Sequence, residues 1–102
     1  MMSVQNRTFN EVATNYLEKL DLFTHAITRA HGKSHPEAFE VRELFTKISE
    51  KVKIGHVNKP DLDAEFTQLR IITDNYKVPG DVCETYETTY TMLSELDKAY
   101  QA

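Results

Sequence analysis

Apolar residues recur along this chain at spacings of three and four, the pattern of helices that bury one face. Four segments show it, and we predict helices over residues 9–30, 35–54, 61–76 and 81–100. No stretch shows the sustained alternation that is typical of a strand. The inward faces comprise Phe9, Val12, Tyr16, Leu20, Phe23 and Ile27; Ala38, Val41, Leu44, Phe45, Ile48 and Val52; Leu62, Phe66, Leu69 and Ile72; and Val82, Tyr86, Tyr90, Leu93, either Leu96 or Asp97, and Tyr100.

Helix stop and start signals lie between these segments. Gly32 is predicted to end the first helix in a left-handed backbone conformation, which glycine adopts at little steric cost. Ser34 and Glu37 have the spacing of a capping box, in which a hydroxyl and a carboxylate satisfy each other's free amides. Asp81 and Glu84 repeat that spacing before the fourth helix. These signals separate the helices by short connections.

Short connections favour antiparallel neighbours, so we predict an all-α fold, an antiparallel up-down four-helix bundle. A chain of 102 residues is expected to form one domain. We assign that domain to residues 8–102, preceded by a flexible N-terminal tail over residues 1–7.

The charge, the hydrophobic runs and the cysteine content of the chain limit the classes of function that are expected. The formal net charge is −4 and the basic residues are scattered, which argues against nucleic-acid binding. No apolar run is long enough to span a bilayer, and residues 1–7 lack the apolar core of a signal peptide, so a cytoplasmic protein without membrane association is expected. The single Cys83 excludes an intrachain disulfide. It is expected to be buried and unreactive, as a small hydrophobe.

The candidate chemistry lies in residues 31–37, which hold two of the four histidines at a helix corner. His31 is either a cation that interacts favourably with the dipole at the C-terminus of the helix, or a metal ligand. His35 is either a structural residue of the next helix start or a ligand, and His56 is a solvated loop residue or a ligand. No nucleophile–base pair or phosphate-binding glycine loop is present, so an enzyme is not expected.

Two stretches resemble a known family. His31-Gly-Lys-Ser-His-Pro-Glu37 is similar to the helix corner of the hemerythrin-like iron–sulfur cluster repair (RIC) proteins. Leu69-Arg-Ile-Ile-Thr-Asp-Asn-Tyr-Lys-Val-Pro-Gly-Asp-Val-Cys83, continuing through Thr85 and Tyr86, resembles the passage between the last two helices of that family. The resemblance covers roughly residues 9 to 100 and suits a short form without the family's N-terminal domain.

The resemblance implies a hemerythrin-like bundle that holds two irons between His and Glu side chains and serves in repairing iron–sulfur centres damaged by oxidative or nitrosative stress. The family's corner ligand matches His31, and His56 lies near the position of another ligand. Asn10 and Pro60 stand where the family has a ligand His and a ligand Glu. The family's ligands from the third and last helices have no counterpart, so the implied di-iron site is incomplete.

These observations give two hypotheses. The first is a short RIC-like protein that binds or delivers iron, with His31 as the leading ligand and His56 and His35 helping. Missing ligands would then come from a homodimer in which two His31 corners meet, or from an iron–sulfur or stress-response partner protein. The alternative is a metal-free helical interaction module that kept the fold and lost the site.

Overall fold

The computed structural model describes residues 9–54 and 60–102, which form four helices and no strand. The helices are α1 (Phe9–His31), α2 (Glu37–Ile54), α3 (Asp63–Ile72) and α4 (Glu84–Gln101). The predicted all-α class is therefore confirmed. None of the helices in the two described ranges has the combined length and apolarity needed to cross a membrane. The predicted tail over residues 1–7 and the loop residue His56 lie outside the described residues.

The predicted inward faces form one core. Most of their residues are buried, and the others pack against the core as half-buried side chains. The largest fully buried side chains are the aromatic residues Tyr86, Tyr90, Phe45 and Phe66. The periodicity of three and four therefore identified the core correctly, because a helix presents those positions on one side.

The first helix packs against two others. α1 packs against α2 and α4, and α2 packs against α3. A polar side-chain contact joins α1 to α2, α2 to α3, α3 to α4 and α1 to α4. The four contacts are Asp21 with Arg42 (α1 and α2), Lys51 with Glu65 (α2 and α3), Arg70 with Asp97 (α3 and α4) and Tyr16 with Glu95 (α1 and α4).

α3 is shorter than predicted and ends at Ile72 instead of residue 76. Asp74, Asn75 and Tyr76 have left-handed backbones, with φ of 54°, 60° and 64°. The Thr73 hydroxyl accepts a 2.8 Å hydrogen bond from the Tyr76 amide, and the Tyr76 hydroxyl donates a 2.8 Å hydrogen bond to Asp97 on α4. The hydrogen bond between Tyr76 and Asp97 offsets the conformational free energy that the left-handed backbone costs, so the chain forms a turn here instead of continuing the helix.

Gly32 directly follows α1 but does not adopt the predicted left-handed conformation. No glycine in the described ranges has a positive φ. A Cβ at Gly32 would instead lie 2.5 Å from the Thr28 carbonyl oxygen and 2.6 Å from the Phe39 ring. Glycine is required here for close packing of the backbone against Phe39, and its conformational freedom is not used.

Candidate functional site

The connection between α1 and α2 meets the start of α4 at one end of the domain. The rings of His31 and His35 both stand edge-on to Tyr86, with centroid distances of 5.4 Å and 5.7 Å. We call this group the His31 corner, consisting of His31, His35, Glu37, Asp81, Cys83 and Tyr86. The helix corner singled out in the sequence is therefore the place where distant parts of the chain converge.

Cys83 is exposed and contacts His31. Its Sγ lies 3.2 Å from His31 Nε2, within hydrogen-bonding distance for sulfur. The prediction of a buried cysteine was wrong, because α4 begins at Glu84 and leaves Cys83 as the extended residue before it, with φ −85° and ψ 173°. His31 is the last residue of α1 and is half-buried. The corner thus places an imidazole and a thiol side by side at the surface.

His35 is held at both ring nitrogens. Its Nδ1 lies 3.1 Å from Glu37 Oε2, and its Nε2 lies 2.9 Å from Asp81 Oδ1. Partial burial disfavours the charged ring, but the hydrogen bonds to Asp81 and Glu37 outweigh it and raise the pKa of His35 above its usual value. The protonated ring can donate to both carboxylates. Both ring nitrogens of His35 therefore already have partners within the protein.

The same contacts correct two predicted helix caps. Glu37 was expected to pair with Ser34, and Asp81 to begin α4, but both carboxylates contact His35. Accordingly α2 begins at Glu37 and α4 at Glu84, each a few residues later than predicted. The partner of both carboxylates is the imidazole of His35, which is two residues before Glu37 but 46 positions from Asp81.

Tyr86 of the corner packs against a second buried tyrosine, Tyr90. The hydroxyls of Tyr86 and Tyr90 are 3.1 Å apart. Burial raises the pKa of the Tyr86 phenol far above its ordinary value, and the hydrogen bond to Tyr90 adds to the shift. Burial likewise raises the pKa of Tyr90. Both phenols therefore stay protonated, and they link the corner to the core as neutral hydrogen-bonding groups.

A cavity adjoins Glu37 and Tyr90. Its volume is about 260 Å³, and the turn over residues 72–80 forms its other wall. A larger cavity of about 470 Å³ lies between α3 and α4 beside Arg70, Tyr76, Asp97 and Lys98. There the buried carboxylate of Asp97 already accepts hydrogen bonds from Arg70, Tyr76 and Gln101. We interpret this second group as a structural cluster between helices.

The described residues do not fit the two-iron site that the resemblance implies. No group of three or more His, Cys, Asp or Glu side chains within residues 9–54 and 60–102 is placed to hold one metal ion. Of the predicted ligands, His31 contacts Cys83, a second potential metal ligand. Both ring nitrogens of His35 contact carboxylates, those of Glu37 and Asp81. His56 falls outside the described ranges. The remaining candidate is a pair of donors, His31 and Cys83.

Sequence reasoning missed Cys83 and Asp81 as residues of the corner. The available signal was that both belong to the second stretch that carries the resemblance. Comparisons of the chain with protein-family models, with curated proteins and with solved structures find no match. The interpretation of the corner therefore depends on its own geometry and on the two resembling stretches.

Proposed function

We propose that this chain is a short hemerythrin-like protein of the RIC type, an antiparallel up-down bundle that binds or delivers iron in the cytoplasm. It would serve in iron–sulfur cluster repair or in the response to oxidative or nitrosative stress. One observation carries the proposal. The two stretches that resemble the family, residues 31–37 and 69–83, contact each other through His31 with Cys83 and His35 with Asp81.

The chemistry of the corner suits iron as a transferable ion. Imidazole and thiolate are both ligands of iron, and Cys83 is exposed. An ion held by only two protein donors keeps open positions, through which an acceptor can bind it and take it away. Delivery is therefore better matched to this geometry than a permanently bound cofactor.

His35 has a positioning role in this proposal. Its contacts with Glu37 and Asp81 join the corner before α2 to the segment that carries Cys83. A metal ion at His35 would have to displace two carboxylates from the ring. We therefore assign metal binding to His31 and Cys83, while a ligand role for His56 stays a prediction.

Metal analysis of untagged protein, purified anaerobically without chelator, tests the proposal. Iron should co-purify with the wild type and be lost from His31→Ala and Cys83→Ser. The matched control is His25→Ala, because His25 lies on the same helix but is exposed and outside the corner. Circular dichroism should show that all variants are folded. Wild-type protein that is free of iron, and that takes up none when iron(II) is added, would refute the proposal.

A metal-free interaction module is the second candidate. It is favoured by the ionic contacts of His35 with Glu37 and Asp81, which hold the corner together without a metal ion. Phe39, on the adjacent first turn of α2, is 56% exposed and offers an apolar contact to a partner. In this case the thermal unfolding temperature should be the same with and without iron(II), both in the wild type and in His31→Ala.

A further inference from the structure

We infer that a second copy of this chain completes a metal site whose first half is His31 and Cys83. The inference rests on the proposed metal binding at the His31 corner and adds the partner and the ligand set. It differs from the two-iron site of the resembling family, which uses His and Glu side chains on one chain. Here one ion would be shared by two imidazoles and two thiolates.

The spacing of the two donor atoms agrees with a shared ion. Tetrahedral ions bind thiolate sulfur at about 2.3 Å and imidazole nitrogen at about 2.0–2.1 Å, so two such ligands lie about 3.5 Å apart. His31 Nε2 and Cys83 Sγ are 3.2 Å apart. A small separation of the two side chains would bring both onto one ion. Half of a tetrahedral site is therefore already arranged.

The chain itself offers no third donor among the residues that the structure describes. His35 is the nearest further imidazole, and it is occupied by Glu37 and Asp81. Residues 9–54 and 60–102 contain no group of three His, Cys, Asp or Glu side chains that is placed to hold a metal ion. Four-coordinate ions need two more ligands, and a site with two thiolates and two imidazoles is a common closed form.

A second copy would supply those ligands by symmetry. In a twofold dimer the same patch of each chain faces the other, so His31 and Cys83 of both chains would meet at the axis. Both side chains are accessible for this, since Cys83 is exposed and His31 is half-buried. Soft thiolate with imidazole selects ions such as Fe²⁺, Zn²⁺ and Co²⁺ over Mg²⁺ or Ca²⁺.

An exposed aromatic side chain lies beside the half-site. The Phe39 ring packs over Gly32, the residue directly after His31, yet 56% of Phe39 is exposed. Aromatic residues are enriched in interfaces between protein chains. A copy that brings its own His31 and Cys83 to this corner would cover Phe39 as well. This contact is independent of the metal and points to the same partner surface.

The acidic surroundings make dimerisation dependent on the metal. Glu84 directly follows Cys83 and is exposed, so two corners that approach each other without an ion bring the two Glu84 carboxylates together. The charge of a divalent ion offsets this repulsion. We therefore expect a monomer without metal and a dimer with it.

Cobalt(II) is the probe for the test, because a cobalt–thiolate bond has a charge-transfer absorption that identifies the ligand. Reduced, untagged protein is titrated with cobalt under anaerobic conditions, and its mass is followed by sedimentation. We expect about one ion per two chains, the thiolate absorption, and a doubling of mass. Cys83→Ser and His31→Ala should lose all three, and His25→Ala should retain them. Phe39→Ser should bind cobalt with the thiolate absorption and dimerise at protein concentrations at least about tenfold higher.

The outcomes separate the two proposals. Binding of one cobalt ion per chain by a monomer, with the thiolate absorption, would overturn the shared site and leave metal binding at the corner standing. Cobalt binding that is unchanged in Cys83→Ser would overturn the ligand assignment. A protein that takes up neither cobalt nor iron(II) would overturn the shared site together with the proposed function.

Discussion

His35 and Asp81 are 46 positions apart in sequence and are joined by a 2.9 Å contact between Nε2 and Oδ1. The contact ties the turn between α1 and α2 to the segment that carries Cys83. The other ring nitrogen of His35 faces Glu37, so one imidazole links two carboxylates from different parts of the chain. Protonation of His35 strengthens both contacts, because each ring nitrogen then donates a hydrogen bond to a carboxylate.

The first prediction concerns pH. The pKa of His35 is raised in the folded protein above its usual value of 6.5, because the hydrogen bonds to Asp81 and Glu37 outweigh partial burial. The stabilisation is fully present below the unfolded pKa and is lost as pH rises through the folded one. The free energy of unfolding, measured with urea between about pH 5.5 and pH 8.5, should fall across this window in the wild type. It should fall less in His35→Gln.

The control for this prediction is His25→Gln, which removes an exposed histidine that is not part of the corner. It should retain the wild-type dependence on pH. If His35→Gln and the wild type show the same slope, the contacts of His35 do not contribute to stability as described.

The second prediction compares two glycines. A Cβ at Gly32 would meet the Thr28 carbonyl at 2.5 Å and the Phe39 ring at 2.6 Å, whereas a Cβ at Gly80 has nothing within 4 Å. Gly32→Ala should therefore destabilise the protein by about 1–3 kcal/mol through overpacking. Gly80→Ala should be neutral or stabilise it by up to about 1 kcal/mol, since the unfolded chain loses freedom. Thermal unfolding of both variants checks this, and equal effects would contradict it.

The third prediction concerns the buried carboxylate of Asp97. Burial opposes its ionisation, but hydrogen bonds from Arg70, Tyr76 and Gln101 lower its pKa below the usual value. Asp97→Asn should cost about 2–3 kcal/mol in the free energy of unfolding, because a partly exposed Arg70 loses its ion pair. Glu50→Gln, at an exposed position on α2, should change the free energy little.

The same variant should respond differently to acid. A lowered folded pKa stabilises the protein above the unfolded pKa of Asp97, and that stabilisation is lost as pH falls through the folded pKa. The drop in unfolding free energy below about pH 4 should therefore be smaller in Asp97→Asn than in the wild type. An identical drop in both proteins would show that Asp97 is not responsible.

The fourth prediction concerns the left-handed turn after α3. Asn75 has φ 60°, a conformation that asparagine tolerates and β-branched residues avoid. Asn75→Val should destabilise the protein by about 1–2 kcal/mol, and Asn75→Gly should stay within about 0.5 kcal/mol of the wild type. Urea unfolding measures both. A valine variant as stable as the glycine variant would show that this turn does not impose its backbone conformation.

The helices and the core could be predicted from the sequence because both depend on local periodicity. Leu20, Phe45 and Leu93 are buried as expected, since a helix turns every third or fourth residue toward the same side whatever surrounds it. Helix ends were predicted less well. The carboxylates of Glu37 and Asp81 contact His35 instead of capping a helix. Tyr76 lies beyond the end of α3 and donates a hydrogen bond to Asp97. The contacts of His35 with Asp81 and of Tyr76 with Asp97 join distant parts of the chain and have no signature in the local pattern, whereas His35 and Glu37 are two residues apart.

By itself, the sequence determined that this protein is helical, which residues form its core, and that His31 lies at a helix corner. Only the tertiary structure decided that Cys83 is exposed, that it lies 3.2 Å from His31, and that His35 is occupied by two carboxylates. The physical reason is that a helix is built from contacts between residues three or four apart, whereas a pair of ligands requires two ends of the fold to meet.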